Sequence, residues 1–195
     1  CAQMQSLGIT AIVRTPNTDE VWVAMALDAG ADGVLVPYCE TIDEVRHVAM
    51  KVKTHPLKGE YYERVVETGE YPSAKSEAYL NAKHKDHIFI MGIESEPAAN
   101  RVEELIDCAP MDAVFIGPND MTTSLGIPDE SDNPIYIDTL KKIIGEADKR
   151  GLPTMIHQQT LETSATAIDL GARFIMHSSD SRILMRGTQN EFAAL

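Results

Sequence analysis

Short apolar runs alternate with longer amphipathic stretches along the whole of this chain, and that alternation constrains its fold more than any other feature. The runs at 9–13, Gly33–Val36, Ile88–Ile93, Ala113–Ile116, 153–156 and 173–176 are nearly continuous in Val, Ile, Leu, Phe and Met. Strands read this way when both faces of a parallel sheet are covered. The stretches between them carry helix signals. Residues 18–29 open at Asn17 or Thr18, with Asp19 and Glu20 in the first turn, and stop at Gly30. The segments 41–53, 96–108, 134–150, 161–170 and 180–194 follow the same logic, with Gly151 and Gly171 as stops. No Ser- or Pro-rich linker divides the chain, so 1–195 is expected to be one α/β domain.

Six β/α units are visible. A doubly wound sheet usually offers a Gly-rich phosphate loop after its first strand, and Thr15-Pro16-Asn17-Thr18 is nothing like one. The alternative is a (β/α)8 TIM barrel, which needs eight units. The chain opens on Cys1 rather than methionine. The expectation is therefore a barrel whose first one or two units precede residue 1. The segment 54–85 is the least regular, with Tyr61, Tyr62, Tyr71 and Tyr79 among Glu and Lys. It reads as an irregular insert of short helices near the barrel mouth, either a surface excursion or a lid.

Composition removes several classes of function. A net charge of −13 with no basic patch argues against nucleic-acid binding. No apolar run approaches the roughly 20 residues that span a bilayer, so no membrane role is expected. Cys1, Cys39 and Cys108 form no metal-spaced pair, and an odd count argues against a disulfide framework; a cytoplasmic location is expected.

In parallel α/β barrels chemistry collects at the C-terminal ends of the strands. Those positions hold Arg14, Tyr38, Glu94, Asn119-Asp120, His157 and His177-Ser178. Two carboxylates on neighbouring strands would repel each other unless a divalent cation lay between them. Glu94 and Asp120 could instead cap the helices that follow them. Arg14 could stabilise an enolate oxygen, or simply pair with Asp19. His157 and His177 could be bases or hydrogen-bonded structural groups. Asp28 lies late in a helix, where a carboxylate opposes the helix dipole and needs a partner such as histidine. All nine lysines fall outside the strand-like runs, so a Schiff-base aldolase lacks its nucleophile.

Four motifs, Arg14-Thr-Pro-Asn17, Ala29-Gly-Ala-Asp-Gly-Val-Leu-Val-Pro37, Gly92-Ile-Glu-Ser95 and Val114-Phe-Ile-Gly-Pro-Asn-Asp120, resemble the metal-dependent (class II) 2-oxo acid aldolases of the HpcH/HpaI family, which is related to the citrate lyase beta subunit. The resemblance implies a carbon–carbon lyase that reversibly adds a 2-oxo acid such as pyruvate to an aldehyde. It implies Mg²⁺, Mn²⁺ or Co²⁺ held by Glu94 and Asp120. Substrate would be bound by Arg14 and by the turn Gly117, Pro118, Asn119 and Asp120, with Arg14 on the keto oxygen. Asp28 would orient a catalytic histidine that belongs to the family's first barrel units. A homo-oligomer, in the family a hexamer, is also implied. Gly92 departs from the glutamine that better-known members carry, which predicts a space or a water there. The Leu57-Lys58-Gly59 region departs as well, so the aldehyde stays open. A 2-oxo diacid decarboxylase, an acyl-CoA lyase and a non-catalytic metal- or oxo-acid-binding relative are the alternatives.

Overall fold

A computed structural model describes residues 1–193. Its centre is one parallel sheet in sequential order: β1 (Ile12–Arg14), β2 (Gly33–Val36), β3 (Ile88–Ile93), β4 (Ala113–Ile116), β5 (Thr154–Gln158) and β6 (Phe174–His177). All five neighbouring pairs are parallel, with Ile12 opposite Gly33 and Ile90 opposite Ala113. The expected closed (β/α)8 barrel is corrected by this topology. Closure would require the first and last strands to pair, whereas among the described residues β1 pairs only with β2 and β6 only with β5. Among the described residues the fold is a six-stranded half-barrel in which β1 and β6 do not pair.

The helices are α1 (Ala2–Ser6), α2 (Glu20–Asp28), α3 (Ile42–Thr54), α4 (Gly59–Thr68), α5 (Ala74–His84), α6 (Glu96–Asn100), α7 (Val102–Asp107), α8 (Pro118–Ser124), α9 (Pro134–Lys149), α10 (Leu161–Asp169) and α11 (Asp180–Ala193). The helix expected over 180–194 ends one residue beyond the described chain. The expected 96–108 helix is broken at Arg101, whose φ of −110° and ψ of 16° depart from helical geometry. Asp19, one residue later than expected, caps α2 by accepting the Val21 N–H. A capping box between Thr41 and Glu44 opens α3.

Strand alternation divides the apolar residues into two clusters. Val34, Val36, Phe89, Met91, Ile93, Val114, Ile116 and Ile156 face the helices and form the main core with Val48, Leu105, Leu140 and Ile143. The other face carries a smaller cluster of Leu35, Ile90, Ala113 and Phe115, bordered by Ile88 and Met155. Central strands are thus buried on both sides, as their composition requires. The outer strands are not: Ile12 and Phe174 on this inner face are 36% and 53% exposed. Gly33 and Gly92 mark where strands approach closely. A Cβ on Gly92 would lie 2.8 Å from the Val36 carbonyl oxygen and 2.9 Å from Pro37 Cα. Backbone therefore fills the space expected at Gly92.

The insert 54–85 holds two helices. Its helices α4 and α5 pack on α3, with the Tyr62 hydroxyl donating to the His47 carbonyl at 2.6 Å. The last residue of α5, His84, is buried and lies beside His55 and His87, just before β3. This places the insert's end at the N-terminal side of the sheet. His84 contacts the His55 carbonyl through Nε2 and His87 Nδ1 through Nδ1 at 2.8 Å.

Burial pushes the His84 imidazole down to about 4, and burial lowers His87 as well. The unfolded chain therefore takes these protons first, starting near pH 6.5. Stability from neutral His84 is present above that pH and is lost as the pH falls toward about 4. Melting curves should show Tm dropping across this window, and His84→Gln should flatten the drop relative to the unmodified protein. Identical pH profiles for the two proteins would remove His84 from the acid response.

Candidate active site

On the inner sheet face the lower positions are apolar and the upper ones polar. Arg14 ends β1 in the same register row as Leu35 and Ile90. Glu94 directly follows β3, continuing the row Ile88, Ile90, Gly92. Gly117 and Asp120 follow β4 as the cap and first turn of α8. The side chains at these strand ends meet at one mouth.

Glu94 is its centre. The residue is only 3% exposed. One carboxylate oxygen, Oε2, accepts the Tyr38 N–H at 3.1 Å, and Oε1 lies 3.8 Å from Arg14 Nη2. Burial raises its pKa, the Arg14 charge opposes this, and the Asp120 carboxylate raises it further. The absence of a side chain at Gly117 makes this position possible, since a Cβ there would sit 2.5 Å from Oε1. Asp120 is exposed, and its Oδ1 accepts the Tyr38 hydroxyl at 3.3 Å. Tyr38 also places its ring 5.7 Å from Arg14 Cζ.

The contacts of these residues bear on the readings left open by the sequence. Ser95, not Glu94, caps α6, accepting from the Ala98 N–H at 3.3 Å. Asp19 spends its carboxylate on the cap of α2, so Arg14 pairs with Glu94 instead. His177 Nδ1 contacts Ser164 Oγ at 3.2 Å, and His157 Nε2 contacts the Ser178 carbonyl at 3.2 Å. Each histidine thus has one ring nitrogen engaged by a group of this chain. His157 also lines a cavity of about 150 Å³ beside Pro118, Asn119 and Gln159.

Asp28 is not brought to the mouth. It is the last residue of α2, and its Oδ1 lies 2.8 Å from His55 Nε2. The histidine hydrogen bond and charge lower the Asp28 pKa. The acid–histidine partnership expected of Asp28 exists, with His55 as partner, but the pair sits past the ends of α2 and α3, at the N-terminal side of the sheet. Among the described residues neither member contacts Arg14, Glu94 or Asp120. Sequence reading missed His55, and the signal for it was a histidine at the end of the next helix, followed by Pro56.

None of the nine lysines lies on a strand. The one buried lysine, Lys51, is on α3 and pairs with Glu20 at 3.3 Å. No cluster of three or more His, Cys, Asp or Glu suited to a metal occurs among the described residues, so a cation here would rest on the two carboxylates. All three cysteines are free, and no described helix is long and apolar enough to cross a membrane.

Comparison with known proteins gives this mouth a family. The family model for HpcH/HpaI aldolase/citrate lyase matches residues 1–185. A 4-hydroxy-2-oxovalerate aldolase of Novosphingobium aromaticivorans is 30% identical over 196 residues, covering 95% of this chain and 71% of the relative. A pyruvate aldolase of Rhizobium etli is 27% identical over 184 residues, covering 93% of this chain and 70% of the relative. The crystal structure of an HpcH/HpaI aldolase from Desulfitobacterium hafniense DCB-2 superposes with a TM-score of 0.81 at 21% identity, covering 99% of this chain and 74% of that one. That likeness speaks for the fold. With the family match across nearly its whole length and aldolases among its relatives, this chain belongs to the HpcH/HpaI aldolase/citrate lyase family and is a carbon–carbon lyase.

Proposed function

We propose that the protein catalyses reversible, divalent-metal-dependent aldol addition of a 2-oxo acid, with pyruvate as the simplest donor, to an aldehyde. The observation that carries this reading is the buried Glu94 carboxylate facing Arg14, with Asp120 held beside it through Tyr38. Relatives named for pyruvate and for 4-hydroxy-2-oxovalerate support the donor class.

The residues fit a cation. A buried carboxylate with a second carboxylate near it, and a guanidinium no closer than 3.8 Å, carries negative charge that the protein only partly offsets. Gly117 leaves open the space against Glu94 Oε1 that a side chain would fill. Oxygen ligands favour hard cations such as Mg²⁺ or Mn²⁺. Glu94 and Asp120 would hold the ion, which would supply Lewis acidity at the carboxylate and keto oxygens of the donor.

The protein's own groups do the rest. Arg14 lies where its planar guanidinium can stabilise the negative charge that grows on the keto oxygen as a C3 proton leaves. The turn from Gly117 and Pro118 to Asn119 and Asp120 opens α8 without a side-chain cap, and its first-turn N–H groups suit the donor carboxylate. The enolate carbon then bonds to the aldehyde carbon, whose oxygen takes up a proton. The cavity beside Asn119 and His157 offers the aldehyde a place.

Exchange of pyruvate methyl protons with deuterium tests donor activation without needing the aldehyde. Exchange should require Mg²⁺ or Mn²⁺ and stop after chelation; exchange that survives complete metal removal would sink the mechanism. Glu94→Gln and Asp120→Asn should abolish it, and Arg14→Lys should slow it roughly 10²-fold with metal still bound.

Oxalate, a planar mimic of the enolate, gives a second test. At 100 times its dissociation constant it should stabilise the folded state by about 2.7 kcal/mol in the presence of metal. An equal rise of Tm in EDTA would locate oxalate at some other anion site.

Self-association is part of the same proposal. Besides its buried face of Val23, Ala26 and Leu27, helix α2 exposes Val21, Trp22 and Met25. A helix apolar on both faces suits a subunit contact. Trp22→Glu should shift sedimentation toward smaller species; an unchanged distribution would exclude this face from the contact.

A further inference from the structure

One residue hydrogen-bonds to both carboxylates of the mouth and lies beside Arg14. Tyr38 has φ of 58°, in the left-handed region that a bulky side chain rarely adopts. From there its N–H reaches Glu94 Oε2 at 3.1 Å and its hydroxyl reaches Asp120 Oδ1 at 3.3 Å. The ring stands 5.7 Å from the Arg14 guanidinium carbon. The backbone is pinned on the far side too, because the Cys39 N–H donates to the Gly92 carbonyl at 3.2 Å and Cys39 is fully buried. Packing does not account for the phenol, which is 44% exposed. A strained backbone that delivers an exposed side chain to two carboxylates is a feature of a site, not of a core.

Resting on the metal-site reading above, we propose that Tyr38 is a positioning residue that fixes the Glu94 and Asp120 carboxylates relative to each other, and so sets how tightly and how selectively they hold a small divalent cation. Glu94 is already confined by burial and by the Tyr38 N–H. Asp120, exposed on the first turn of α8, has the freer side chain, and the phenol hydroxyl restrains it. Mg²⁺ demands near-ideal octahedral geometry, whereas Ca²⁺ tolerates loose and variable oxygen ligands. A restrained carboxylate pair therefore favours the smaller ion, and releasing Asp120 shifts the balance toward the larger one.

The test is a Mn²⁺ titration of the full chain, read from the electron paramagnetic resonance of free Mn²⁺, with Mg²⁺ and Ca²⁺ as competitors. Tyr38→Phe keeps the backbone N–H and the ring beside Arg14 and removes only the hydroxyl. Its Mn²⁺ dissociation constant should rise roughly tenfold, as for loss of a partner that orients a metal ligand. The Mg²⁺-to-Ca²⁺ preference should fall, and the metal-free melting temperature should stay unchanged. Tyr38→Gly, which accepts the left-handed backbone without a Cβ, should lose Mn²⁺ affinity to a similar degree. Unchanged Mn²⁺ affinity in Tyr38→Phe overturns the assignment while leaving the metal site standing. A melting temperature that falls in step with Mn²⁺ affinity also overturns it, because a merely structural tyrosine would behave that way. Failure of the unmodified protein to bind Mn²⁺ overturns both the metal-site reading and this assignment.

Discussion

Burying the Glu94 carboxylate at the end of a central strand is costly, and the surrounding residues are arranged around that cost. A charge removed from water needs hydrogen bonds and opposite charge to remain ionised. Glu94 receives one backbone N–H, from Tyr38, and a guanidinium at 3.8 Å, from Arg14. To provide the first, the chain after β2 turns into a left-handed conformation. To leave room for the carboxylate, β4 is followed by a glycine, because any side chain at 117 would collide with Oε1. Strands β1, β2, β3 and β4 thus each contribute something to the same few ångströms. The incomplete neutralisation that remains is the basis for the cation proposed there.

The sheet makes this convergence possible without a specialised loop. Its inner face is apolar below, at Leu35, Ile90, Ala113 and Phe115, and polar above, at Arg14, Glu94 and the turn after Gly117. The apolar layer anchors the strands in register, so that strand-end side chains meet at fixed heights. The helices on the outer face supply most of the core. Where the sheet stops, at β1 and β6, the inner face opens to solvent, and Ile12, Phe174 and Met176 are exposed there. The acid–histidine pair of Asp28 and His55 lies past the opposite ends of the strands, so a single chain keeps it apart from the carboxylate mouth.

Much of the candidate site was legible in the linear sequence. A parallel strand buried on both faces must be a nearly unbroken apolar run, so β2, β3 and β4 could be read residue for residue. The first polar residue after such a run must sit at the strand's end, which put Arg14 and Glu94 at strand ends before any contact was known. The cap of α2 was legible to within a residue, because capping depends on local backbone geometry. The insert was less so. Its helices α4 and α5 depend on packing against α3, and their local pattern did not reveal where they dock.

Sequence alone therefore determined the six strands, most of the helices between them, their parallel arrangement and the residue types at the strand ends, because these follow from local periodicity and residue type. Tertiary structure decided the rest, because each remaining question turned on distances between residues remote in the chain. Among the described residues β1 and β6 do not pair, since such pairing is a property of the whole arc and not of either strand. Gly92 leaves no vacancy, since the Val36–Pro37 backbone closes against it. Glu94 reaches Arg14 and Tyr38 instead of capping a helix, and Asp28 meets His55, 27 residues away. Tyr38 looked like one polar residue among several, and only its backbone angle and its reach across 82 residues to Asp120 showed that it ties the site together.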